Sequence, residues 1–295
     1  MNTTARSQRT VAQIPASCLP AVGDVLAVVA GPVDGAAYVA SRLAARDDGS
    51  VTGCAISPAF LGVPSAEAGT RSTLLREPVV HSSQSEGREA VAGRDTFLRL
   101  ALAAGAQRPQ WAWAGNDPGH TLAMLAAWHD LIVVQRPADP HANSLDGLES
   151  LLMGTGLPCL VLPSVCAPSG VFDRVVVAWD GSRPAVRAIR AALPLIAAAQ
   201  DVLLLDGRPA HQSDNETPGF DPAGFLARHG IEATHRRVRT TPGEAGATIL
   251  KKAHQFKADL LVMGAYGHTR LRERLFGGAT RQVLAHNELA TLLYH

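Results

Sequence analysis

The chain has 295 residues, 46% hydrophobic and 18% charged, with 27 Lys and Arg against 26 Asp and Glu for a net charge of +1. That apolar content excludes a chain disordered throughout, and the length suits two ordinary domains. A net charge so close to zero gives no bulk attraction for nucleic acid or an anionic membrane, so neither is an expected partner. Residues 1–22 are polar, lack the apolar core of a secretion signal, and predict a flexible arm. Residues 25–30 (VLAVVA) form an apolar run of strand length. Gly31-Pro32 ends it, Asp34 can cap, and 36–46 has the small-residue spacing of a helix. Residues 51–56 predict a second strand, and 57–85, rich in Ser, Pro, Gly and Ala, predict irregular chain. Helical spacing returns over 86–104 through Val91, Phe97, Leu98 and Leu100, and 110–114 (QWAWA) alternates as a strand does. Asn116-Asp117-Pro118 predicts a helix start, with Asp117 as cap and Pro118 in the first turn. A strand at 130–135, a helix near 145–153 and a strand at 158–162 follow.

Residues 163–170 (PSVCAPSG) have the composition of a linker, and beyond them the same order restarts. Residues 173–179 (DRVVVAW) predict a strand that ends in Asp180-Gly181-Ser182. An Ala-rich helix over 184–199 should kink at Pro194. Then come a strand at 202–205, a polar loop, a short helix at 221–229 and a strand at 231–239. Thr241-Pro242 opens a helix to about 256, and strands at 260–263 and 290–294 flank a helix that begins at Ala279. The halves align: HDLIVVQ (129–135) lies over ADLLVMG (258–264), and LESLLMGTGLPCLVL (148–162) over TRQVLAHNELATLLY (280–294). Internal duplication explains this economically, with domains over 23–163 and 172–295. Alternation of strand and helix within each half predicts parallel, doubly wound α/β sheets.

The chemistry concentrates in 259–280 (DLLVMGAYGHTRLRERLFGGAT). An apolar strand is followed by Gly264, Gly267 and the pair Gly277-Gly278, and then by a helix. Glycine lets the backbone approach a ligand closely, and unpaired N–H groups at a helix start attract an anion. The first half has Gln135 in place of Gly264. Its loop, 136–145, holds Pro137 and Pro140 and no glycine, and each proline removes an N–H donor. One competent anion site, in the second half, is the expectation.

The pattern G-x2-G-x9-G after an apolar strand resembles the nucleotide loop of the universal stress protein family. The resemblance implies two tandem Rossmann-like (HUP-type) domains, each a five-stranded, mostly parallel sheet of order 3-2-1-4-5. It also implies a cytoplasmic stress-response regulator that binds ATP or AMP in the second half, with Mg2+ accompanying a triphosphate. Carried onto this chain, the binding residues are Ala178, Trp179, Asp180, Gly207, Met263, Gly264, Gly267, Gly277, Gly278, Ala279 and Thr280. Gly278 departs from the family, whose ATP binders carry a hydroxyl there; Thr280 offers one two residues on. Family modules pair through their last strands, which implies that 158–162 and 290–294 join the halves as an intramolecular pseudo-dimer, with homodimerisation as a further step.

Each of these residues also has an ordinary reading. Asp180 is either a nucleotide contact or the cap of the next helix, and Met263 either packs on a sugar or belongs to the core. Arg270, Arg272, Arg274 and Arg281 neutralise phosphate or form a solvated face. His268 has no Ser, Cys or acidic partner by spacing, and His211, His229, His235 and His254 show no metal spacing. Cys18, Cys54, Cys159 and Cys166 form no CxxC pair, so no structural metal is expected and a reducing compartment is. No run reaches the ~18–20 apolar residues of a membrane span. Nothing forms a catalytic triad or paired-carboxylate site. A non-binding interaction scaffold and a slow ATPase are the alternatives to a nucleotide-binding regulator.

Overall fold

The computed structural model describes residues 21–31, 35–63, 83–115, 117–137, 145–165, 169–208, 221–240, 243–265, 278–286 and 288–295, with backbone only over 83–92. The arm up to residue 20, Cys18, Asp34, Asn116, Pro140, Cys166, His211, Thr241, Pro242, Gly267, His268, Arg270, Arg272, Arg274 and Gly277 lie outside them.

The first half runs β1 (Asp24–Val29), α1 (Gly35–Arg46), β2 (Ser50–Ala55), a 3-10 turn (Pro58–Leu61), α2 (Ser83–Ala103) and β3 (Arg108–Trp113). It continues through α3 (Pro118–Ala126), β4 (Leu131–Gln135), α4 (Asp146–Thr155) and β5 (Cys159–Leu162). The second half runs β6 (Arg174–Trp179), α5 (Arg183–Ala191), α6 (Leu193–Ala197), β7 (Asp201–Asp206), α7 (Pro222–Arg228) and β8 (Ala233–Arg237). It ends with α8 (Ala245–Phe256), β9 (Leu260–Gly264), α9 (Gly278–His286) and β10 (Ala290–Tyr294).

Local signals place several boundaries. Asp117 accepts a hydrogen bond from His120 N at 3.0 Å with Pro118 in the first turn, and Asp221 caps α7 in the same way through Ala223 N at 3.0 Å. The single helix expected over 184–199 is broken at Ala192 into α5 and α6, because Pro194 supplies no N–H to the ladder. α2 starts at Ser83, earlier than expected. α8 starts at Ala245 rather than at the Thr241-Pro242 signal.

The strands of the described residues form one ten-stranded sheet in the order β3-β2-β1-β4-β5-β10-β9-β6-β7-β8. Each half therefore has the order 3-2-1-4-5, parallel within itself. The halves meet where β5 and β10 pair antiparallel, Leu292 opposite Leu160. Two apolar edges that would otherwise be open cover each other there. Helices pack on both faces, which makes the strands apolar on both sides. One core holds Val25, Val29, Leu160, Leu162, Val175, Val177, Leu292 and the inner faces of α1, α2, α5, α6 and α7. The other holds Leu26, Val28, Cys159, Val161, Val176, Leu293 and the inner faces of α3, α4, α8 and α9. Both cores cross the seam.

The duplication is visible in hydrogen bonds. Asp130, just before β4, accepts from Gly23 N at 3.1 Å and Asp24 N at 3.0 Å. Asp259, just before β9, accepts from Asp173 N at 2.8 Å and Arg174 N at 3.1 Å. Each carboxylate ties the start of its half's first strand to the start of its fourth.

Candidate functional site

In the second half β6 lies between β7 and β9, all parallel, so the chain turns to opposite sides on leaving them. Open α/β sheets bind ligands outside the carboxyl ends of the strands at such a reversal. Ala178 is opposite Met263, and Trp179 is opposite Asp206. Alternation puts Ala178 and Met263 toward α8 and α9, and Trp179 and Asp206 toward α5. Met263 and Trp179 are buried among core residues, while Ala178 is half-buried.

Asp180 follows β6 and is half-buried; its Oδ1 accepts from Ser182 N at 2.9 Å. The cap of α5 is Ser182, whose Oγ accepts from Ala185 N at 3.3 Å. Asp180 thus braces the capping residue and does not itself cap the helix. A Cβ on Gly264 would stand 2.4 Å from Ala185 N and 2.7 Å from Pro184 C. Glycine at this position lets the end of β9 abut the first turn of α5, a reason for it that is independent of any ligand. Gly207 is exposed, and its N–H donates to Trp179 O at 2.8 Å.

Gly278, Ala279 and Thr280 are the first three residues of α9, where helix geometry leaves N–H groups without an intrahelical acceptor. Gly278 is exposed and Ala279 half-buried, but the Thr280 side chain is buried on the face that carries Val283 and Leu284. The Thr280 hydroxyl is therefore not exposed in place of the one that Gly278 lacks. Arg281 is exposed on α9, and its charge acts on Glu149 of α4 in the other half. The described members of the expected set thus gather at the ends of β6, β7 and β9 and the start of α9, with Trp179 and Met263 contributing to the core.

Asp206 is the residue that pattern reading missed. Its side chain is only 2% exposed, yet it closes an apolar strand. Arg208 Nη2 donates to Asp206 Oδ2 at 2.8 Å, Arg208 N donates to Asp206 Oδ1 at 3.1 Å, and His235 Nε2 lies 3.5 Å from Oδ2. Burial alone raises such a carboxyl, but the Arg208 hydrogen bonds and the Arg208 and His235 charges outweigh it and hold Asp206 below the ordinary range. The available signal was an aspartate ending the run VLLLD with an arginine two residues on. In the first half Ala55 stands at the same place in the sheet.

The first half also fills its reversal point differently. Gln135 Oε1 accepts from Gly35 N at 2.8 Å, and its Nε2 donates to Pro163 O at 3.2 Å. A side chain thus stands at the strand end in the first half, where in the second half the backbone of α5 closes onto Gly264.

Comparison with known proteins bears on this geometry. The model of the universal stress protein family matches residues 172–295. That match falls within the second half of the chain. Universal stress protein Slr1230 of Synechocystis is 25% identical over 155 residues, which is 50% of this chain and 50% of that protein, so the match spans half of each. Across both halves the chain is similar to the crystal structure of a universal stress protein from Archaeoglobus fulgidus, with TM-score 0.68 and 16% identity over 93% of this chain and 96% of that one. A functionally unknown protein from Pseudomonas aeruginosa is similar at TM-score 0.60 and 18% identity over 93% of this chain and 92% of that one. At these identities the likeness establishes a shared fold. The universal stress fold thus covers both halves, whereas the family's sequence signature lies in the second.

Proposed function

We propose that the chain is a tandem universal stress protein, with domains over 23–163 and 172–295, that binds ATP or AMP in its second half. The observation that carries this reading is that Asp180 and the end of β9 close neighbouring parallel strands at one strand-order reversal, with α9 the next described element along the chain. Asp180 would accept from the ribose, and the N–H groups of Gly278, Ala279 and Thr280, with Gly267 and Gly277, would hold the phosphates. Each hydrogen bond to a charged group is worth ~1.5–3 kcal/mol, so three or four support affinity near the micromolar range once association costs are met. Mg2+ would accompany a triphosphate. The regulator would act in the cytoplasm, and homodimers would add to the pairing of halves already present within one chain.

Equilibrium dialysis with labelled ATP and AMP tests the reading. One nucleotide per chain is expected, with at least about tenfold weaker binding in Asp180→Ala, the effect of one lost charged hydrogen bond. Gly277→Val is a second control, expected to weaken binding further. Absence of binding at millimolar nucleotide rejects the reading. The competing reading is a scaffold that binds no nucleotide. It draws on the missing hydroxyl at Gly278 and the burial of the Thr280 side chain, and nucleotide that copurifies with the protein would reject it.

A further inference from the structure

The second half ends the sheet at β8, and this strand is basic. His235, Arg236 and Arg237 are exposed, as is Arg239 just beyond the strand. Four basic side chains within 235–239 stand out in a chain whose net charge is +1. Val238 N donates to Asp206 O at 2.8 Å, which turns the main chain of Val238 toward β7. Main-chain groups alternate along a strand, so those of Arg237, His235 and Ala233 turn outward. No strand among the described residues pairs on that side. The His235 ring approaches the Asp206 carboxylate on the α5 face of the sheet. With a side-chain period of two, His235, Arg237 and Arg239 share that face, and Thr234, Arg236 and Val238 the other.

Charge on an edge strand is an ordinary guard against aggregation. The opposite edge, β3, is guarded by Pro109 and a single cation, Arg108. The row on β8 goes well beyond that, and it is one-sided. We propose that the outer edge of β8 receives an extended acidic peptide segment as an added strand, its carboxylates at alternate positions facing Arg237 and Arg239. The outward N–H and C=O groups supply the ladder, and the cations set register and sign. A second copy of this chain fits poorly, because pairing β8 with itself would lay one basic strand beside another. Single-stranded nucleic acid fits poorly as well. Its binding draws on aromatic stacking platforms, and no Phe, Tyr or Trp occurs from 231 to 242.

The test is fluorescence anisotropy with three labelled octapeptides: alternating Glu and Val, the same composition as a block of Glu followed by a block of Val, and the alternating peptide N-methylated at every second amide. The alternating peptide is expected to bind at least about tenfold tighter than either control, since only it matches charge pattern and backbone donors together. R237E/R239E should weaken it about tenfold or more, and raised salt should weaken it too. R237Q/R239Q, gentler to the fold, should show an intermediate loss, with circular dichroism confirming intact secondary structure in both. Equal binding of the block or N-methylated peptide, or no loss in either double variant, overturns the proposal. Tighter binding of a single-stranded oligonucleotide of equal charge also overturns it. Nucleotide binding is not involved in any of these readouts.

Discussion

At the carboxyl ends of the strands the two halves solve one packing problem in opposite ways. In the first half β4 ends in Gln135, whose amide reaches from Gly35 at the start of α1 to Pro163 in the linker. A Cβ on Gly35 would lie 3.0 Å from Gln135 Oε1, so the glycine sits on the helix and the side chain on the strand. In the second half the glycine is on the strand, at 264, the first turn of α5 closes directly onto it, and Ser182 caps the helix. At the amino ends there is no such divergence, since Asp130 and Asp259 make the same tie. The amino ends carry folding constraints that both copies keep. The carboxyl ends are where an open α/β sheet places its ligand, and there the copies are free to differ.

That contrast can be broken by substitution. Gly264→Ala should have the largest effect, about 3 kcal/mol, because the added atom meets helix backbone that cannot rotate away. Urea unfolding measures it; a loss below that of Gln135→Ala would show that β9 and α5 are not in close contact. Asp259→Ala should follow at about 2 kcal/mol, since it leaves two half-buried main-chain donors unmet, with Asp130→Ala nearer 1 kcal/mol because that carboxylate is exposed. If Asp130→Ala proved the costlier, the two ties would not be equivalent. Gln135→Ala should cost about 1 kcal/mol, from two hydrogen bonds at a half-buried site. Hydrogen exchange at Gly35 should rise in that variant, and unchanged exchange would remove the clasp from the comparison.

The smallest effect concerns acid. Asp206 is held below the ordinary aspartate value of 3.8, so its pairing stabilises the fold fully above that pH and is lost as pH falls through the depressed folded value. Asp259 is raised, chiefly by burial against the pull of its backbone donors and with the Asp173 charge adding to the rise. Its share has the opposite sign, present below 3.8 and lost as pH rises through the folded value. Stability measured across this range in Asp206→Asn should show a flatter acid limb than the unsubstituted protein. An unchanged limb would mean that Arg208 and His235 do not hold that carboxylate.

Much of the fold was legible because its signals are local. The apolar runs, the Asp117-Pro118 and Asp221-Pro222 starts and the Pro194 break each act within one turn of chain. The repeat made the likeness of the two halves legible, while the strand order came from the resemblance to the universal stress protein family. What was not legible depends on partners far along the chain. Gln135 was visible as a substitution, but its acceptor role depends on Gly35, a hundred residues earlier. Gly264 resembled a phosphate-loop glycine, while its steric reason lies in α5. Asp206 ended a strand without announcing that Arg208 and His235 would converge on it.

The antiparallel seam has a consequence for biosynthesis. β5 is complete at Leu162, yet the strand that covers its edge begins only at Ala290, 128 positions later. At ~5–20 residues per second, a ribosome leaves that apolar edge uncovered for roughly 6–25 s. Throughout that interval the β5 edge of the nascent first half stands open to pairing with other strands.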